Sequence, residues 1–515
     1  MNLLHNISNF ENINVDSNIT LFENVDITGA KDIVIGKDGN LTLRVDSTDN
    51  NSHALSSNNG GTIKSEGGKL LFVLNGLKEG AIIELGNTLD SSMKGNEIGY
   101  SEDITLDTTS LLHDIKKRND TSVIVETVEN LPIVNPNPPV EKPDYELDDG
   151  LLYEKLNEIY KSIREADEVG EFNVTNNEEL CSFLKYLHDI FAENPYAYSS
   201  ELSRKTMSMM KNLADRDLKP DYKEWAIYGG YTHVDGGTKD TFYGRGYYTY
   251  DVGSHTDHAD TKINGGYFKA EYGKAKDLTT GIIFGGNNSE TEIGASKVEG
   301  DSFYFGTYAK KYINNFRFTL GAGFQHGDYK GDRTALGYGV TETRKYSENY
   351  HDRGFNIYGN TKYTKELGNN FFFEPSVTLE YSYVDQDGVK EDGVLAIETD
   401  SRTFDYLSGT VNLDLRKNIT SDTLTHSFIS GVSYERMLSG YDSEYITGRI
   451  IGREKLGKDF DILVPEKEKD TLSLNLRYEL ETEKGLMFDV KGSYRFEHDT
   501  DKDEWIVGTG IGYKF

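Results

Sequence analysis

The carboxyl terminus reads Trp505-Ile506-Val507-Gly508-Thr509-Gly510-Ile511-Gly512-Tyr513-Lys514-Phe515. In an extended chain successive side chains point to opposite faces. Trp505, Val507, Ile511, Tyr513 and Phe515 therefore share one face, and Gly508, Gly510, Gly512 and Lys514 the other. Two segments upstream repeat the pattern. Leu472, Leu474, Leu476, Tyr478 and Leu480 alternate with Ser473, Asn475, Arg477, Glu479 and Glu481. Leu486, Phe488, Val490, Tyr494 and Phe496 alternate with Met487, Asp489, Lys491, Ser493 and Arg495. One face carries no charge and the other carries both signs. Strands this long, with so many aromatics, suit a transmembrane β-barrel whose outer face meets lipid and whose inner face lines a wet lumen.

Composition agrees. The 515 residues leave room for more than one domain. With 86 Asp and Glu against 55 Lys and Arg, the net charge is −31, which argues against nucleic acid as a partner because phosphate needs a basic face. No run of about 18 apolar residues offers a helical span. A mean hydropathy of −0.59 is compatible with a barrel, where only alternate residues face lipid. The 34 Tyr and 24 Phe against two Trp supply aromatic girdles. Cys181 is the single cysteine, beside an apolar helical stripe, and reads as a packed thiol.

Strands are predicted at 222–233, 263–273, 277–288, 301–313, 315–328, 353–366, 370–385, 402–417, 422–440, 470–482, 484–497 and 504–515, about twelve, an even count as bacterial barrels require. The connections alternate, long near 234–262, 289–300, 329–352, 386–401 and 441–469, short between. Short turns belong at the periplasmic rim, so both ends of the barrel lie there. The charged alternate positions Arg317, Glu374, Glu380, Asp414, Arg416, Arg477, Glu479, Asp489, Lys491 and Arg495 face the lumen in this reading.

Ahead of the barrel, residues 1–131 show short extended pieces divided by Gly, Asn and Asp turns, a pattern that suits β-solenoid coils or a small sandwich. Pro132, Pro136, Pro138, Pro139 and Pro143 mark a linker at 132–149. In the helical region 150–198, apolar stripes run through Leu152, Leu156, Ile159, Tyr160 and Ile163, then Leu180, Phe183, Leu184, Leu187, Ile190 and Phe191. A third helix is expected from Ser199 to Arg216 within the segment 199–220, capped by Ser199 or Ser200. Polar on most sides, it suits a wet cavity, with Arg204, Lys205, Met209, Asn212 and Arg216 as its lumen residues.

The order of these parts resembles the autotransporters of type V secretion. The motifs are Asn212-Leu213-Ala214-Asp215-Arg216 leading to Trp225-Ala226-Ile227-Tyr228-Gly229-Gly230-Tyr231, then Phe373-Glu374-Pro375-Ser376-Val377-Thr378-Leu379-Glu380-Tyr381 and the terminal Gly512-Tyr513-Lys514-Phe515. The resemblance covers 199–515 well and 20–130 loosely. It implies an outer-membrane barrel, 221–515, that takes part in exporting the passenger fused before it. It also implies that Trp505, Val507, Ile511, Tyr513 and Phe515 form a signal read by the barrel assembly machinery. A single-chain, monomeric barrel in outer-membrane lipid is expected, its N-terminal region at the cell surface. Some family members cut themselves at an Asn-Asn pair in the lumen helix; here Asn212 precedes Leu213. Met1 to Thr20 has no basic start and apolar core, so the sequence reads as the C-terminal part of a longer protein or one that lost its leader.

No nucleophile elbow, P-loop, His-Glu-x-x-His or cysteine zinc pattern is present, and no enzyme or cofactor is expected. His255, Asp257, His258 and Asp260 read as a solvated acidic loop rather than a metal site. The rival functions are a porin-like outer-membrane channel and a surface adhesin whose binding region lies in a missing passenger.

Overall fold

A computed structural model describes residues 2–3, 5–21, 25–28, 30–46, 55–57, 61–85, 98–132, 149–238, 241–242, 256–257, 259–336, 340, 343–497 and 503–515. Its largest part is a closed antiparallel barrel. The strands are β1 (Trp225–Gly237), β2 (Asp260–Ala275), β3 (Leu278–Ile293), β4 (Ser296–Ile313), β5 (Phe316–Leu336), β6 (Thr343–Tyr363), β7 (Phe371–Gln386), β8 (Arg402–Thr420), β9 (Leu424–Ser439), β10 (Asp470–Thr482), β11 (Leu486–Glu497) and β12 (Glu504–Lys514). Each pairs with its sequence neighbours, and β1 closes on β12 from Ala226↔Lys514 to Asp235↔Trp505. Phe515 finishes the seam, exchanging two backbone hydrogen bonds of 2.9 Å with Trp225. Closure leaves no edge to be satisfied in lipid. The outward row is apolar: Leu476 and Leu320 are 67% and 65% exposed.

All twelve expected strands form, but four expected loops are built differently. Residues 289–300 are mostly strand: β3 and β4 continue to Ile293↔Ser296 around Gly294, whose φ of +51° suits glycine. Likewise β5 and β6 pair out to Leu336↔Thr343, through the expected loop 329–352. Alternating polar residues there keep strand period beyond the apolar band, because a wet sheet needs no hydrophobic face. The expected loops 386–401 and 441–469 hold the small sheet Ala396–Thr399, Glu444–Ile451 and Phe460–Val464.

That sheet caps the barrel with two helices, α1 (Asp149–Glu165) and α2 (Asn177–Phe191). The Asn176 side chain accepts from the Glu179 N–H at 2.9 Å, and the Glu179 carboxylate accepts from the Thr175 N–H at 2.7 Å, closing the start of α2. Leu156, Ile159, Ile163, Leu187 and Ile190 are buried in one cluster with Ile446, Ile450, Phe460 and Ile462 of the sheet. Ion pairs rim this core: Arg453 with Glu168 (2.7 Å) and Arg344 with Glu171 (2.8 Å).

Most N-terminal strands stack in parallel in three sheets, each strand on the one three places later, and Asn18↔Asn40 and Asn40↔Lys69 continue one row; Ile82–Glu84, His113–Lys117 and Ser122–Thr127 form a separate antiparallel sheet. Leu21, Leu43 and Phe72 are stacked and buried. Hydrogen bonds join this stack to the cap: Leu111 N–H to Val174 O at 2.7 Å and Tyr160 Oη to Val128 O at 2.8 Å. The Pro-rich linker, between its two ends, lies outside the described residues.

Candidate functional site

Helix α3 (Ser199–Lys211) runs inside the barrel. Its first turn meets Asp352 of β6 and the residues after its last turn meet the wall near the rim where β1 begins, so the chain before β1 crosses the lumen. The helix stops at Lys211 rather than the expected Arg216, because residues 212–216 turn and give their carbonyls to the wall. Nor is Ser199 a side-chain cap: Tyr198 holds that position, and the Ser199 and Ser203 hydroxyls donate to Asp352 at 3.3 and 3.1 Å.

The wall complements both ends of the helix. Asp352 lies at the N-terminal end, where partial positive charge gathers. At the other end Lys269 donates to the carbonyls of Leu213 (2.9 Å) and Arg216 (2.6 Å), Lys310 to Arg216 (2.8 Å) and Arg317 to Asp215 (2.8 Å). Those carbonyls carry the partial negative charge that favours cations. Glu271 balances the two lysines at 3.1 and 2.8 Å. Between the ends, Lys205 pairs with Glu504 and Lys211 with Glu380, each at 2.7 Å. Arg204 stays on the helix, bonded to Glu201 at 2.6 Å.

Three methionines fill the space between helix and wall, opposite three glycines. A Cβ at Gly265 would stand 3.0 Å from Met209 Cε, one at Gly285 2.4 Å from Met210 Sδ, and one at Gly354 2.9 Å from Met207 Sδ. The wall is bare where the helix approaches. On its wall-facing side α3 is thus packed rather than wet: Leu202, Thr206, Met207, Met209 and Met210 are buried.

The helix hugs β2 to β7, leaving a cavity of about 220 Å³ on the opposite side, lined by Asn212, Arg317, Asp414, Arg477, Lys491 and Arg495 among others. Glu374 is held by Lys362 (2.9 Å) and Arg416 (2.7 Å), Arg495 by Glu435 (2.8 Å), and Glu479 by Arg477 (3.4 Å). Asp489 meets Arg216. Of the charged positions read as inward from the sequence, Arg317, Asp414, Arg477, Lys491 and Arg495 line this cavity and Glu374, Glu380 and Asp489 are buried, while Trp505, Val507, Ile511, Tyr513 and Phe515 are exposed. Sequence reasoning missed Asp352, Lys269, Lys310 and Glu271; the last three stand on the polar face of predicted strands, which was the available signal. His255 and His258 lie outside the described residues.

A family model described as Autotransporter beta-domain matches residues 226–493, more than half of the chain. The chain belongs to the autotransporter β-domain family. Its barrel is an outer-membrane translocator, with the N-terminal region on the cell-surface side. Among solved structures, it is similar to the translocator domain of autotransporter NalP from Neisseria meningitidis, at 16% identity and a TM-score of 0.46 over 64% of this chain and 99% of that one. The beta domain of the Bordetella autotransporter Brka matches at 13% identity and TM-score 0.40 over 57% and 100%. The transport unit of AIDA-I from Escherichia coli matches at 12% identity and TM-score 0.35 over 60% and 97%. No curated protein sequence matches the chain.

Proposed function

We propose that this autotransporter barrel exports the chain fused before it and afterwards holds that chain at the surface, with α3 closing the pore. The carrying observation is α3 itself, threaded through the lumen and matched to the wall by charge at both ends. A translocator that has finished its work must seal, and a segment of its own chain seals it without a second protein. The division that follows is a passenger end at 1–131, a linker at 132–149, a helical region at 150–198, the lumen segment at 199–220 and the barrel at 221–515. The barrel acts as a non-enzymatic monomer, and the terminal strand is the part offered to the barrel assembly machinery. A porin-like channel is the weaker reading, since α3 and the cap occupy most of the path and the remaining cavity is about 220 Å³.

Protease shaving of intact cells tests this. An epitope placed before residue 131 should be removed from whole cells, leaving a protected fragment that retains α3 and the barrel. Protection of the epitope until the outer membrane is opened would reverse the topology and restore the channel reading.

A further inference from the structure

On the outer wall of the barrel, β5 carries Phe316, Phe318, Leu320 and Phe324 toward lipid, and the outward row then becomes polar at His326 and Asp328. The neighbouring β6 changes at the same height: Phe355 and Ile357 are exposed apolar residues, and His351 follows beyond them. Asp328 stands directly opposite His351 in the register. A His-x-Asp pair on one strand and a histidine on the next therefore place three donors on one face, because residues two apart share a face and opposed residues lie within side-chain reach.

We propose that His326, Asp328 and His351 form a surface site for a divalent transition metal of the zinc class. Their ligand atoms all lie within 4.8 Å of one another. His326 Nε2 lies 3.2 Å from Asp328 Oδ1, and His351 Nδ1 lies 2.6 Å from the same oxygen. One imidazole would suffice for a cross-strand hydrogen bond; here two converge on one carboxylate oxygen. Ligands about 2.0–2.2 Å from a tetrahedral zinc stand roughly 3.3 Å apart, so the His326 contact already has that spacing. The His351 contact needs to open by well under an ångström. Both side chains have room to do so, at 40% exposed for His326 and 50% for His351.

The surroundings favour a cation. Asp301 and Glu299 line the cleft that Asp328 and His351 share. Arg353, opposite His326 in the register, is drawn toward the other side, to Asp387 at 3.4 Å and Asp385 at 3.8 Å, and Lys330, which also lines that cleft, pairs with Asp332 at 2.9 Å. Two imidazoles with one carboxylate select zinc, cobalt, nickel or copper over calcium and magnesium, which prefer an all-oxygen shell. Three protein ligands leave a fourth position for water or another donor. The site takes no part in closing the lumen and lies outside the translocator reading.

The test is a zinc titration of the full chain, folded in detergent, with magnesium in excess. One saturable zinc per barrel is expected. His326→Ala and His351→Ala should each weaken it by more than the roughly 10–100-fold that loss of an outer-shell partner costs. Asp328→Asn should do the same, and cobalt should give a visible spectrum that these variants abolish. His326→Gln and His351→Gln serve where an alanine variant loses its gel shift on boiling. The double variant His255→Ala/His258→Ala should retain the site. Absence of saturable binding, or binding indifferent to the triad variants and lost in the loop variant, overturns the proposal.

Discussion

Replacing Lys211 by methionine tests whether the wall holds α3 by matched charge. The Lys211 ammonium lies 2.7 Å from Glu380, with both side chains less than a tenth exposed. The variant removes the cation and leaves the carboxylate inside the barrel. Breaking a buried pair by removing one partner costs about 3–5 kcal/mol. Glu380 keeps one donor, the Asn356 amide at 2.9 Å, so the lower end, about 3 kcal/mol, is the reasoned value. Since every 1.4 kcal/mol is a factor of ten, the displaced helix should gain roughly a hundredfold in population. Planar-bilayer recordings read this directly: brief openings should be about a hundred times more frequent than in the unaltered protein. The double variant Lys211→Met/Glu380→Gln removes both charges, and its openings should return most of the way to the original frequency, because the uncompensated carboxylate is gone. Unchanged openings in the single variant, or a double variant as open as the sum of the two singles, would refute the argument.

Leu476→Arg places a charge at the most exposed of the outward leucines and should lower barrel stability by about 2–4 kcal/mol if the position lies near the midplane; urea unfolding followed by the gel shift checks this. Deleting Phe515 removes both seam bonds to Trp225 and an exposed aromatic, so outer-membrane levels should fall and degraded protein accumulate, whereas Lys514→Ala should leave levels near normal. In the antiparallel sheet of the N-terminal region, burial holds the His113 imidazole down at about 4, from an ordinary 6.5, with Ser110 at 2.8 Å from Nδ1. The unfolded segment then binds more protons between those values, so stability is complete above about pH 6.5, falls as pH drops and levels off below about 4, by at most about 3 kcal/mol. Hydrogen exchange of residues 98–132 at pH 7 and pH 4.5 should show the loss, and His113→Leu should flatten it.

Much of the barrel was legible because lipid imposes a period-two code. Phe316 to Phe324 alternates without exception in its outward apolar row, and every such strand was found. Where lipid ends the code weakens, so 329–352 reads as loop although β5 and β6 continue through it. The sheet at Ala396–Thr399, Glu444–Ile451 and Phe460–Val464 escaped for another reason: its strands are short and find their partners across distant loops, and their apolar residues pack on α1 and α2. The charged lumen positions followed from alternation alone, but their pairing did not. Nothing local in Lys269 announces that it will bind the carbonyls of Leu213 and Arg216, and nothing in Gly285 that Met210 will lie over it. Those contacts depend on where a separate helix comes to rest in three dimensions.

The seam between β1 and β12 encloses a chain whose outer end carries a folded cap. One helix fills most of the lumen, and a helix with its side chains is about 10–12 Å across. Beyond the ring stand α1 and α2 side by side, with a three-stranded sheet against them. The assembly is a rotaxane: a thread, a ring and a stopper. A stopper of that girth cannot have passed the finished ring, so it must be tied after its strands and helices are outside. Once tied, it blocks return mechanically, whatever the strength of the ion pairs in the pore. Cutting the thread below α3 would free the ring at one end, yet the N-terminal region could leave only outward.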